Sequence, residues 1–219
     1  MKRAVVCCGI IYEDIKELLE RTPYEANIIK LSPRLHNSPA ELGKTLQETV
    51  DSLMGGDYEE IILTYFLCGN SLLGLTARDI PIVFAKVQDC IEACMGACEG
   101  YGRWRKCSMF QSRGWLNNDA DSNDQLRAMR KRYDEEKLKE LYSIMYANYE
   151  NVIYMKLEET VSPKDMEKVV KFADLTGLEL KVKEGSLETY RDLLALKHSD
   201  KIHILRPGER VSLSIFEGK

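Results

Sequence analysis

Glu59–Ser71 reads EEIILTYFLCGNS, and its reading decides the fold. Two carboxylates precede an apolar run that is too short for an independent helix, rich in β-branched and aromatic residues, and closed by the turn-forming group Cys68-Gly69-Asn70. Bounded runs of this kind mark strands buried on both faces, which belong to parallel sheets covered by helices. A strand is expected over EEIILTYFL, 59–67, with a turn just past it.

Working outward, similar runs recur as RAVVCC, ANIIKL and PIVFAKV, then NVIYMKL, LELKVK and KIHILRP, with SLSIF last. They alternate with amphipathic segments that carry helix start signals. Ser38 to Glu41, SPAE, has the form of a capping box with proline at the first helical position, and Ser162-Pro163 repeats the device. The pattern predicts an α/β fold: a mostly parallel sheet in two Rossmann-like βα series. Between the series, Gly100 to about Asn118 reads as a long loop, and Ser122 to Ala147 as one long helix with Leu126, Met129, Tyr133, Leu141 and Met145 on its apolar side. Two domains are expected. Residues 1–120 would hold the first series and the aromatic and basic loop, and 121–219 the long helix and a smaller second series.

Length and charge narrow the function classes. The chain has 219 residues and a net charge of −4, which opposes nucleic-acid binding through phosphate contacts. No apolar run approaches the roughly 18 residues of a spanning helix, and the N-terminus turns acidic too early for a signal peptide. A cytoplasmic protein is expected, with its seven cysteines as thiols or metal ligands rather than disulfides.

Cys90, Cys94 and Cys98 lie on one helical stripe, but the outer two stand about 12 Å apart along the axis, too far for one ion. Asp89 reads as the cap of a helix starting at Cys90, where the free amides favour a thiolate, while Cys94 and Cys98 are expected to pack. Topology suggests a larger group. Ligands in open α/β sheets bind beyond the carboxyl ends of the strands. Cys8 ends the first predicted strand, His36 follows the second, Cys68 ends the third and Cys90 lies past the fourth. Three thiolates and an imidazole suit zinc; three thiolates alone suit an iron-sulfur cluster. No CxxC supports this locally. Gly69 and Asn70 could form an anion-binding turn, and Arg113 and Trp115 a basic, aromatic ligand contact. There is no GxGxxG, P-loop, GxSxG or HExxH. The cluster Arg127, Arg130, Lys131 and Arg132 reads as a solvated face, and His198 and His203 as ordinary histidines.

LHNSPAELGKTLQETVD, YEEIILTYFLCGNSLLGLTAR, PIVFAKVQDCIEACMG, RGW, GSLETYRDLLAL and ILRPGERV together resemble the uncharacterised family "domain of unknown function 1638". The resemblance spans nearly the whole chain and assigns the family's blocks to Cys8, His36, Cys68-Gly69-Asn70, Asp89-Cys90-Ile91 and Gly114-Trp115. Gln88 stands where the family usually has histidine, and Cys94, Cys98 and Cys107 depart from the family's blocks. The resemblance implies anaerobic one-carbon metabolism near corrinoid-dependent methyltransferases, although the cobalamin-binding Asp-x-His-x-x-Gly segment is missing here.

Three functions are expected from these readings. The first is a metal-binding protein with zinc or an iron-sulfur cluster on Cys8, Cys68, Cys90 and His36. The second is a thiol-dependent enzyme using Cys90 on a small molecule. The third is a non-catalytic partner of a corrinoid protein or methyltransferase, with no cofactor of its own.

Overall fold

The computed structural model describes residues 2–96, 101–118, 126, 128–157, 162–197 and 199–217. Cys98, Arg127, His198 and most of 119–127, where the long helix was expected to begin, lie outside the described residues. In chain order the first elements are β1 (Lys2–Cys8), α1 (Tyr12–Leu19), β2 (Glu25–Leu31), a 3-10 turn (Pro33–Asn37), α2 (Pro39–Ser52), β3 (Glu60–Leu63), β4 (Ile82–Ala85) and α3 (Cys90–Met95). Then come α4 (Tyr101–Cys107), β5 (Ser108–Gln111), α5 (Arg113–Asn118), α6 (Glu135–Met145), β6 (Asn151–Lys156), α7 (Pro163–Thr176), β7 (Glu179–Glu184), α8 (Glu188–Leu194) and β8 (Ile202–Leu205).

The fold is α/β and its sheets are mostly parallel. A five-stranded sheet has the order β2-β1-β3-β4-β8, the first four strands parallel and β8 antiparallel at the edge. A three-stranded sheet, β5-β6-β7, is wholly parallel. The apolar runs have the burial their composition requires: Ala4, Val6, Ile61, Leu63, Ile82 and Phe84 join Leu42, Leu46 and Val50 of α2 in one core. In the other sheet, Val152 and Tyr154 meet Val169 and Ala173 of α7.

Helix ends follow local chemistry unevenly. Ser162 caps α7, its hydroxyl accepting from the Asp165 amide at 3.0 Å, with Pro163 at the first position and Gly177 closing the helix at φ +73°. Ser38 makes no side-chain cap, so the expected box at α2 does not form, although Pro39 does open the helix.

Several expectations are corrected. β3 ends at Leu63, earlier than 59–67, because the strands on either side pair with it over only a few residues. The expected loop at 100–118 contains α4, β5 and α5. SMFQ is too short and mixed to show a period, yet it pairs with β6 over its full length. The long helix over 122–147 is broken at 131–134, where Asp134 caps α6 by accepting from the Lys137 amide at 2.9 Å. Leu138 and Tyr142 are its buried residues, while Tyr133 and Met145 are exposed. KIHILRP supplies the edge of the first sheet rather than a strand of the second, and SLSIF forms a 3-10 turn at Leu213–Ile215. Because β8 returns to β4, the compact units are Met1–Ala93 with Leu187–Lys219, and Cys94–Ser186, instead of 1–120 and 121–219.

Candidate functional site

The candidate site is the carboxyl edge of β1, β3 and β4. Val6 pairs with Leu63, and the Thr64 amide donates to Val6 O at 3.0 Å, so the parallel register brings Tyr65 alongside Cys8. Beyond β4 the same alignment continues, with the Leu67 and Cys68 amides donating to Val87 O at 3.2 Å and Gln88 O at 2.8 Å. The chain then turns through three successive left-handed residues, Cys68 at φ +44°, Gly69 at +68° and Asn70 at +74°. Glycine adopts this region freely and asparagine tolerates it, but a cysteine there is strained by about 1–2 kcal/mol. Strain held at such a turn is a feature of functional sites.

Cys8 is set among groups that favour its ionised form. The backbone N–H groups of Ile10 and Ile11, in the turn just before α1, reach its sulfur, the Tyr65 hydroxyl faces it, and the Lys30 charge acts on it. Burial nevertheless outweighs all of these and raises the Cys8 pKa. Lys30 Nζ lies 4.6 Å from the centre of the Tyr12 ring. Cys68 is pushed up to about 12, mainly by burial and further by the Cys8 sulfur when that ionises and by the Asp89 carboxylate, against a favourable Phe66 amide. Cys7 is also pushed up to about 12 by burial, with the Thr64 side chain pulling the other way. The rim therefore holds neutral thiols.

Tyr65 was read from sequence only as one residue of a strand. Tyr65 is 4% exposed, and its buried hydroxyl has the Cys8 sulfur as its neighbour. The hydroxyl is close enough to Cys8 for each to shift the other on ionisation: it pulls Cys8 down, and a Cys8 thiolate pushes Tyr65 up. The sequence signal was one phenol inside the apolar run, two residues past the end of β3.

The remaining predicted residues are dispersed over other loops. Asp89 caps α3, its Oδ1 accepting from the Glu92 amide at 3.0 Å, and acts electrostatically on Cys68. Glu92 reaches back to the Gln88 amide at 2.5 Å. Cys90 is half-buried in the first turn of α3, which has only six residues, and Cys94 is buried. His36 lies exposed on the 3-10 turn that Ser32 caps. Arg113 and Trp115 belong to the other compact unit, in α5 after β5, where the Ser112 hydroxyl accepts from the Trp115 amide at 3.3 Å.

The six described cysteines are free thiols. Among the described residues no three His, Cys, Asp or Glu side chains are grouped to hold one ion. A ready-made centre from Cys8, Cys68, Cys90 and His36 is thus not assembled, because each donor leaves its strand on a separate loop and His36 remains at the surface. What the rim does bring into mutual influence is Cys8, Cys68, Tyr65 and Asp89.

Cys107 has different surroundings, before the amino end of β5. The Asn151 amide nitrogen lies 4.0 Å from its sulfur, and Arg103 and Glu150, paired at 3.0 Å, both interact with it. No helix among the described residues is long and apolar enough to cross a membrane. In comparison with known proteins, residues 30–194 match the family described as "Protein of unknown function (DUF1638)". No curated protein and no solved structure matches.

Proposed function

Since the chain belongs to the DUF1638 family, whose description carries no activity, we propose from its own rim that it is a thiolate metal-binding protein, with Cys8 and Cys68 as the two protein thiolates. The observation behind this reading is the presence of two thiols at one sheet edge, Cys8 closing β1 and Cys68 beyond the adjacent β3, with Cys8 acting on Cys68 and each kept neutral by burial. Two thiolates alone in a dry site repel. An entering cation replaces their protons and removes that penalty, so binding and proton release are linked.

Zinc suits this arrangement because it accepts thiolate and water together. Asp89 acts on Cys68 electrostatically but caps α3 through its Oδ1, so water completes the shell around the two thiolates. An iron-sulfur cluster calls for at least three thiolates and does not fit the pair. A free nucleophile needs a thiolate near neutral pH, which the raised values of Cys8 and Cys68 oppose. A role in anaerobic one-carbon or corrinoid metabolism, with a corrinoid protein or methyltransferase as partner, enters this proposal through the family resemblance alone.

The test is anaerobic purification followed by zinc titration with proton release measured. About one zinc per chain and close to two protons per zinc are expected, both lost in Cys8→Ala and in Cys68→Ala. Zinc retained in both variants, or no binding by the wild type, would reject the proposal. No zinc together with one rapidly alkylated thiol at Cys90 would favour the thiol-dependent enzyme instead.

A further inference from the structure

We propose that the carboxyl edge of β5-β6-β7 is a ligand site in its own right, at which Gln111 and Asp165 accept hydrogen bonds from an uncharged NH2 group of a small molecule. It lies wholly within the Cys94–Ser186 unit, whereas Cys8 and Cys68 belong to the other unit, and it stands without the metal-binding reading.

Register sets the first group. Gln111 closes β5 and pairs with Tyr154 of β6, and paired residues of neighbouring strands share a face of the sheet. On that face Tyr154 packs with Val169 and Ala173 of α7. Asp165, Val169 and Ala173 are buried at intervals of four along α7, so they form one inward stripe. Asp165 stands a turn before Val169, in the first turn of the helix that follows the carboxyl end of β6. Gln111 on the sheet and Asp165 on the helix thus end the same apolar core, on facing layers and at the same edge.

Both groups are acceptors that want donors. Gln111 is 6% exposed, and its Oε1 has no hydrogen-bond partner, a state that native interiors rarely leave unexplained. Asp165 is equally buried. Lys168 Nζ stands 3.8 Å from its Oδ1, outside hydrogen-bond range, and donates instead to Asn117 Oδ1 at 2.8 Å. That ammonium and the amino end of α7 offset the carboxylate's charge, so what is missing is a donor rather than another cation. Two acceptors on facing layers are matched by two N–H bonds on one nitrogen, the NH2 of a primary amide or of an amino-heterocycle. A lone water molecule offers the same two bonds, and the test separates the two.

The full chain, with isotopically labelled glutamine side chains, is titrated by NMR with benzamide and with aminopyrimidine as the two sources of NH2, and with N,N-dimethylbenzamide as the donor-free control. At least one NH2 probe should bind and shift the Gln111 side-chain signal, and the control should leave it in place. Gln111→Met keeps the side chain's length and removes the unpaired oxygen, so this variant should melt at or above the wild-type temperature and bind the probe about tenfold more weakly. Asp165→Asn keeps an acceptor but loses the charge, and should weaken binding about threefold. A Gln111 signal moved by neither NH2 probe, equal binding of the control, or unchanged affinity in Gln111→Met would overturn the proposal. So would a benzamide-soaked crystal in which only an ordered water joins Gln111 to Asp165.

Discussion

Cys8 and Cys107 make an instructive pair. Each adjoins a parallel strand, Cys8 at the carboxyl end of β1 and Cys107 before the amino end of β5. Around Cys8, burial dominates and keeps the sulfur neutral although amides, a phenol and a lysine favour its charge. Around Cys107 stand an exposed arginine and glutamate already paired with each other, and an asparagine amide. The same side chain is desolvated in one place and surrounded by solvated charge in the other. The difference shows that backbone amides beside a thiol do not by themselves produce a thiolate; the balance with burial does.

The largest expected contrast is in alkylation. A thiol at about 12 has roughly a thousandfold less thiolate at pH 8 than one at the ordinary value of 9.0. With iodoacetamide and mass spectrometry, Cys7 and Cys68 should be modified slowly at pH 8 and speed up about tenfold per pH unit toward pH 12. Fast modification of both at pH 8 would remove the contrast.

Metal binding should divide the same cysteines. Loss of Cys8 or Cys68 should weaken zinc by more than about 100-fold, beyond the range of changes outside the ligands themselves. Cys107→Ala should leave the isotherm unchanged.

The tightness of the rim can be probed at Gly9. A Cβ there would meet Pro33 Cδ at 2.9 Å and Leu31 O at 3.0 Å, neither on a movable chain end. Gly9→Ala should destabilise by about 1–3 kcal/mol in urea unfolding, and a neutral result would show that the loop after β1 can shift.

Alkaline pH sharpens the comparison through stability. Cys7 and Cys68 keep their protons in the folded state up to about 12, while the unfolded chain loses them near 9. Between these values the folded state binds more protons, so stability falls as pH rises, by about a factor of ten in the folding equilibrium per unit and per thiol. Below pH 9 this contribution is fully present. Chemical denaturation from pH 8.5 to 11 should show a shallower decline in Cys68→Ala than in the wild type. Smallest of all, Arg103→Gln should change the melting temperature within replicate scatter, because its ion pair is exposed.

Much of this was legible from local pattern. The strands near RAVVCC, ANIIKL, PIVFAKV, NVIYMKL and LELKVK are bounded apolar runs, and Asp89 and Ser162 cap helices as their spacing implies. What failed depends on distant partners. SMFQ becomes a strand only because β6 lies beside it, and KIHILRP reaches β4 across the whole second unit. Ser38 has the right type for a cap but the wrong backbone, at φ −136° and ψ 87°. At the site, strand ends were readable, so Cys8 and Cys68 could be placed at one edge. The direction in which each loop leaves that edge was not readable, and it is this that carries His36 to the surface. Tyr65 was hidden for a simpler reason: a phenol in an apolar run looks like core until its oxygen is found beside the Cys8 sulfur.

The return of β8 to β4 has a consequence for synthesis on the ribosome. The edge of β4 at Ala85 must wait for Ile202 to emerge, and at about 5–20 residues per second this takes several seconds or more. During that interval the nascent chain presents an open parallel edge. Truncations that remove the tail should therefore aggregate rather than yield a smaller folded protein.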